Sequence, residues 1–246
     1  MYNSNSISLN SNFLKNHNSN EEILFENSDL TYEILTFADK QESKYLVSLA
    51  FHEEPLTIQI SNQLRKVDFA DFDVYIGFFL EEVCSNGLSV VARSKQTGKL
   101  VGVCYNMDYN FFDQKFFDFY ADKNQIFHNL IGFLHSISDE VKKINTDLDK
   151  KGSVIDIGFL AVHTEFRGKR ISNRLVELSV ELIAKSGFDY IVSEATSIFT
   201  KKIMQSINFE CIYSIDVRRW LFEGRCFYEN MEEPHQEFTF WMKKLK

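Results

Sequence analysis

Six consecutive residues, Arg167-Gly168-Lys169-Arg170-Ile171-Ser172, carry the clearest chemical pattern in the chain. They follow an apolar run, Val154 to Val162, and precede a stretch with Leu175, Leu178 and Leu182 at helical spacing. A strand, a basic turn and a helix start, in that order, bring unpaired first-turn N–H groups, the positive end of a helix dipole and three cationic side chains together. A diphosphate suits such a place because it supplies acceptors and negative charge at once. An ordinary solvated basic turn would read the same way. The run lacks the glycine and Gly-Lys-Ser/Thr pairing of a nucleotide P-loop and the three-glycine fingerprint of a dinucleotide-binding turn. Among other reactive side chains, Cys84, Cys104, Cys211 and Cys226 have no metal-type spacing and no histidine partner in sequence, so they read as reduced structural thiols, with no metal site. His52 and His163 could do acid–base work, but each stands alone and reads as a satisfied loop residue.

These residues sit in a chain of 246 residues with 44% apolar content, enough for a real core in one or two domains. The 27 Lys and Arg against 35 Asp and Glu give a net charge of -8, which argues against a sequence-blind nucleic-acid binder and suits a cationic substrate. The longest apolar run, Val74 to Leu80, is far shorter than the roughly 20 residues of a membrane span. No secretory signal is visible at the N-terminus, so the expected address is the cytoplasm and no membrane partner is expected. Residues 1 to 20 contain seven Asn and five Ser, and Lys15 is their only Lys or Arg. That composition predicts a disordered tail, taken here as 1–26, with a single domain over 27–246.

The elements that must position the turn follow from periodicity. Leu30 to Ile34 alternates like a strand, and Asp39 with Glu42 resembles a capping box opening a helix to Phe51. Pro55 sits where a first helical residue belongs, ahead of Leu56, Ile60, Leu64 and Val67. Phe72, Tyr75, Phe79 and Val83 predict a third helix ending at Gly87. Leu88–Arg93 and Leu100–Tyr105 predict a hairpin around Gly98. Ile126, Leu130, Phe133, Ile137, Val141, Ile144 and Leu148 mark a long amphipathic helix. After the strand Val154–Val162 and its helix to Gly187 come a strand at Phe188–Val192, a short helix at Thr200–Ser206, and closing strands at Phe209–Val217 and Glu237–Leu245. The order predicts an α/β sheet with hairpins and one right-handed crossover.

The run from Ile157 to Ile171 resembles the acyl-CoA-binding segment of the GNAT superfamily of N-acetyltransferases, in which a strand leads into Arg/Gln-x-x-Gly-x-Gly/Ala. Arg167 fits the first position, while Arg170 and Ser172 replace the two small residues. An Arg does not take glycine's backbone angles cheaply, but its guanidinium can contact a phosphate. The segment from Glu194 to Glu210 is similar to the family's next strand and helix, and more closely to the arylalkylamine and dopamine N-acetyltransferases. There Asn208-Phe209 stands where the family has Gly-Phe, and Asn is the next best residue for a left-handed cap. Glu54-Pro55-Leu56 matches that subgroup's N-terminal Glu-Pro-Leu. The resemblance spans residues 30 to 245 and implies a GNAT fold: a mixed, mostly antiparallel sheet with a splayed central parallel strand pair, flanked by helices.

What the resemblance implies for function is transfer of acetyl from acetyl-CoA to a primary amine, a small arylalkylamine or a polyamine, by direct attack in a ternary complex. Glu54 is then the base, assisted by Thr196 and Thr200, which fall where the subgroup places two serines. Glu before a Pro-initiated helix can equally complement the dipole, which would lower its pKa, and Thr196 can equally cap the short helix. Backbone N–H groups at Leu160, Ala161 and Val162 would face the thioester oxygen. Arg167, Gly168, Lys169, Arg170, Ile171, Ser172, Ser197 and Lys201 would hold the cofactor. The family's usual acid position is Met204 here, so Tyr213 is the substitute candidate, with core packing its other role. Two other readings stay open: a GNAT acting on a protein N-terminus or lysine, and an acyl-CoA-binding module without turnover. Monomer and homodimer are equally compatible with the sequence.

Overall fold

Val154–Val162 is β-branched and apolar enough to be buried on both faces, and it becomes a central strand of the sheet. The computed structural model describes residues 22–64, 67–111, 125–149 and 153–246. Their strands are β1 (Ile23–Glu26), β2 (Leu30–Ile34), β3 (Val90–Ser94), β4 (Leu100–Asp108), β5 (Val154–Val162), β6 (Tyr190–Ala195), β7 (Glu210–Asp216) and β8 (Glu237–Lys244). They form one sheet in the order β1-β2-β3-β4-β5-β6-β8-β7, antiparallel except for the β5–β6 pair. This is the mixed sheet with a central parallel pair that the resemblance implies.

The helices are α1 (Lys40–His52), α2 (Pro55–Gln63), α3 (Phe69–Gly77), α4 (Leu80–Ser85), α5 (Gln125–Ile144), α6 (Ile171–Lys185) and α7 (Ile198–Ser206). Two apolar clusters cover the two faces of the sheet. One joins residues of α1 to α5 with Val103, Tyr105, Phe159 and Val192, and the other joins α6 and α7 with Ile155, Ile157 and Ile191. No helix among the described residues is long and apolar enough to cross a membrane.

Several boundaries differ from the sequence expectation. Ile23–Glu26, inside the stretch assigned to the tail, form an edge strand on β2, with Phe25 against Tyr32 and under the Arg174 guanidinium at 4.0 Å. Four mostly exposed residues carry too weak an alternation to be read as a strand. The rest of that tail, residues 1–21, lies outside the described residues, as does the expected continuation of α2 through 65–66. The capping box forms one turn earlier, where the Thr36 N–H donates to Asp39 Oδ2 at 3.0 Å. The third helix breaks in two at Phe78, where Phe78 and Phe79 N–H groups bond back three residues to Tyr75 and Ile76. The long helix ends at Ile144, and Leu148 belongs to a separate turn, Thr146–Asp149.

Two close approaches fix α6 against β4. A Cβ at Gly102 on β4 would meet Ile171 Cγ2 at 2.9 Å and Leu175 Cδ1 at 3.0 Å, so the N-terminal turn of α6 lies directly on the sheet there. Beside it, Asn106 donates its amide to the Leu88 carbonyl at 2.6 Å and to Ser179 Oγ at 2.9 Å, tying β4 to the chain before β3 and to α6. Gly102→Ala is expected to push the start of α6 outward and destabilise the fold by about 1–3 kcal/mol, read as a fall in Tm; an unchanged Tm would show that this contact yields freely.

Candidate active site

β5 and β6 pair over only three positions, Val154 with Tyr190, Ile155 with Ile191 and Asp156 with Val192. Past these the strands part, and the last tie is the Ser193 hydroxyl donating to the Ile157 carbonyl at 3.1 Å. The cause lies on the other side of β5. Against β4, Tyr105 opposes Phe159 and Asn106 opposes Ile157, which leaves Gly158 as an extra, unpaired residue. A bulge of this kind bends its strand, and β6 does not follow because it keeps register with β8 as far as Ala195.

A cavity of about 110 Å³ opens beside the divergence. Phe72, Tyr75, Met107, Leu130, Leu134 and Phe159 give it apolar walls, and Glu54, Asp156, Glu194, Thr196 and Thr200 also line it. No Lys, Arg or His is among the described residues that line it.

Glu54 reaches this place as the N-cap of α2, with Pro55 at the first helical position. Its Oε2 accepts from the Thr57 N–H at 3.0 Å, while Oε1 is closed to bulk solvent and has no hydrogen-bond partner. One oxygen therefore serves the helix and the other is free. Burial dominates and raises the pKa, although the Thr196 side chain and the helix N-terminus favour the ionised form. The lowering expected from the dipole alone is outweighed by desolvation.

The cap of α7 is Ser197, whose hydroxyl accepts from the Thr200 N–H at 3.2 Å. Thr196 does not cap the helix, and its place in the cavity wall near Glu54 is not spent on that role. Thr200 lines the same cavity and keeps its Oγ1 3.1 Å from the Ser197 hydroxyl. Thus Glu54, Thr196 and Thr200 are brought together from three segments. Tyr213 is not; it packs against the core and does not line the cavity. Lys201 is buried, with Nζ 3.0 Å from Glu237 Oε2, so its charge is already matched. His52, which closes α1 instead of lying in a loop, has its Nε2 3.0 Å from the Val67 carbonyl, and the loop residue His163 accepts from the Glu165 N–H at Nδ1, so both rings have partners. The four cysteines are unpaired, and burial pushes the Cys104 thiol up to about 12.

Beyond β5 the chain turns through Thr164–Phe166 into the basic loop. Gly168 has φ +79° and Arg170, the residue before α6, has φ 60° and ψ 21°. Arg170 thus adopts a left-handed conformation that glycine takes freely, at a cost of about 1–2 kcal/mol for a residue with a Cβ. The bend it makes leaves the N–H groups from Gly168 to Asn173 without acceptors among the described residues, whereas Arg174 donates to the Arg170 carbonyl. Arg167 Nε donates to the Val162 carbonyl at 3.4 Å and its guanidinium lies 3.6 Å from Glu53, linking the loop to the end of α1. Directions of backbone groups alternate along a strand. Since the His163 N–H faces β4 and donates to Val101, those of Leu160 and Val162 face the divergence. The Ala161 N–H faces β4 instead.

Two site residues were missed by sequence reasoning. Asp156 and Glu194 line the cavity, Asp156 Oδ1 has no partner, and neither carboxylate takes part in a hydrogen bond or ion pair among the described residues. Burial raises Asp156 to about 7, and burial together with the neighbouring Asp156 charge raises Glu194. The available signal was Asp156 itself, one charge in an otherwise apolar strand. No group of His, Cys, Asp and Glu that could hold a metal ion is found among the described residues.

No protein-family model matches the chain, and no curated protein matches it in sequence. Solved structures do match in fold. A mosquito arylalkylamine N-acetyltransferase like 5b superposes with TM-score 0.73 at 20% identity, covering 87% of this chain and 99% of that one. Arylalkylamine N-acetyltransferase 2 from Aedes aegypti gives 0.73 at 21% identity, over 89% of this chain and 100% of that one. The Drosophila melanogaster polyamine N-acetyltransferase gives 0.70 at 16%, over 88% and 100%. The fold is that of the GNAT N-acetyltransferases.

The raised carboxylates carry a stability consequence. Between the unfolded value near 3.9 and the folded value of about 7, the native state holds a proton that the unfolded chain releases, so stability falls as pH rises through that window. Asp156→Asn removes this penalty. Its Tm is expected to gain on the parent by an amount that is smallest near pH 4 and grows to a plateau above pH 7; a difference independent of pH would refute the assignment.

Proposed function

We propose that this protein transfers acetyl from acetyl-CoA to the primary amine of a small molecule, by direct attack of the amine on the thioester. The observation that carries this reading is the free Oε1 of Glu54 in a cavity that opens where β5 and β6 part. The fold supports the use of acetyl-CoA, and the loop supports it independently. Six consecutive N–H groups without acceptors, flanked by Arg167, Lys169 and Arg170, fit a diphosphate in donor number and charge. The cofactor supplies an activated acetyl group; everything else is done by the chain.

The amine is the harder reactant. With a pKa near 10.4, only about one molecule in 2,500 is neutral at pH 7, a deficit of about 4.6 kcal/mol. Glu54 Oε1 accepts the proton, and its raised pKa makes it a better acceptor than an exposed carboxylate. The Thr196 and Thr200 hydroxyls hold the donor beside it. The Leu160 and Val162 N–H groups meet the oxygen that gains charge during attack. No acid is needed at Met204, because a thiol of pKa near 8.5 leaves readily as the thiolate. Apolar walls around a small cavity suit a small amine better than a peptide chain.

Two outcomes test this reading. Glu54→Gln is expected to lower kcat by about 100-fold at pH 7 and to approach the parent at high pH, where amines lose protons unaided; equal loss at every pH would remove Glu54 as the base. Arg167→Glu is expected to weaken acetyl-CoA binding about tenfold or more by opposing the phosphates, measured by calorimetry; unchanged affinity would place the cofactor elsewhere.

A further inference from the structure

The cavity holds more negative charge than the proposed reaction uses. Removing one proton from one amine needs Glu54, yet Asp156 and Glu194 line the same space from the two strands that frame it. Buried carboxylates are ordinarily matched by a cation. Here Asp156 Oδ1 is closed to solvent and unpartnered, and no ion pair reaches either residue among the described residues. Lys142, on the helix beside Tyr109, is engaged over the Tyr109 ring at 5.4 Å and with Asp149 at 3.4 Å. The chain also makes room for the Asp156 carboxylate: a Cβ at Gly158 would stand 3.0 Å from its Oδ2, and the bulge at Gly158 is what parts the strands. Asp156 lies four residues before Leu160 on β5, roughly 10–13 Å along the strand. The pair is thus set apart from the N–H groups assigned to the thioester, with the apolar walls nearby.

We propose that Asp156 and Glu194 form a subsite for a second cationic group of the substrate, so that the amine acetylated is one end of a diamine with an apolar spacer. This rests on the reading of the protein as an amine acetyltransferase and deepens it. One ammonium loses its proton to Glu54 and reacts, while the distal one stays charged against the two carboxylates. Without a cation the two buried acids repel each other and retain a proton. An arriving ammonium takes the place of that proton, so binding near neutral pH releases it. The other titratable groups coupled to the pair are Tyr109, whose hydroxyl is bonded to Ser138, with Asp149 beyond it, and the Cys104 thiol; both Tyr109 and Cys104 are held protonated by burial and by the acids themselves.

The test compares straight-chain diamines from 1,3-diaminopropane to 1,8-diaminooctane with monoamines of the same chain lengths. At the best length the parent protein is expected to favour the diamine at least tenfold in kcat/KM. In Asp156→Asn and Glu194→Gln that ratio is expected to fall at least tenfold, chiefly through KM for the diamine. A ratio near one in the parent, or a ratio untouched by both substitutions, would overturn the subsite while leaving the acetyltransferase reading intact. Calorimetry with the diamines alone, in two buffers of different ionisation enthalpy, is independent of turnover. Binding with proton release that is lost in Asp156→Asn supports the subsite even if no amine is acetylated, and absence of binding to the parent overturns it.

Discussion

The structure depends on the parting of two parallel strands. β5 is held to β4 along its whole length and β6 to β8, and the two halves of the sheet share only three residue pairs between them. An extra residue at Gly158 turns β5 away from its neighbour, which frees main-chain donors in the middle of a sheet where every donor would otherwise be used. Unpaired backbone in a sheet interior is costly unless a ligand or water meets it. The site is therefore a defect that the rest of the fold is built to hold open. The Ser193 hydroxyl closes its lower end and α7 starts at its upper end.

Charge is divided between the two sides of this opening. The loop before α6 offers only donors and positive charge, on exposed residues that a solvated phosphate can reach. The cavity offers carboxylates and hydroxyls, set among aromatic and aliphatic walls that strengthen each electrostatic effect. A net charge of -8 reinforces the second side and not the first, so a diphosphate at the loop would have to be held by local geometry. Arg170 illustrates this. It accepts a left-handed conformation to keep the bend that exposes the N–H groups, and in return places a guanidinium where glycine would place none.

Other departures from the family pattern are absorbed by backbone chemistry in the same way. Asn208 has φ 59° and closes α7 with the Phe209 N–H bonded back to the Met204 carbonyl at 3.0 Å, the work expected of a glycine there. Met204 lines the cavity as an apolar residue, so no acid stands at that place in the wall.

The amino-acid sequence by itself determined the element order, the strand-turn-helix around Gly168, the α2 start at Pro55 and the left-handed cap at Asn208, because each is set by local spacing, ring constraint or φ preference. Its family pattern also led to Glu54, Thr196 and Thr200. Only tertiary structure decided that Ser197 caps α7 in place of Thr196, that Lys201 is matched by Glu237, that Tyr213 packs against the core, and that Asp156 and Glu194 line one cavity. A hydrophobic period reports which face of an element is buried, and it cannot report what that face is buried against. Desolvation and charge pairing are properties of that second surface, so the direction of Glu54's pKa shift and the gathering of acidic residues in one cavity arise only when distant segments pack.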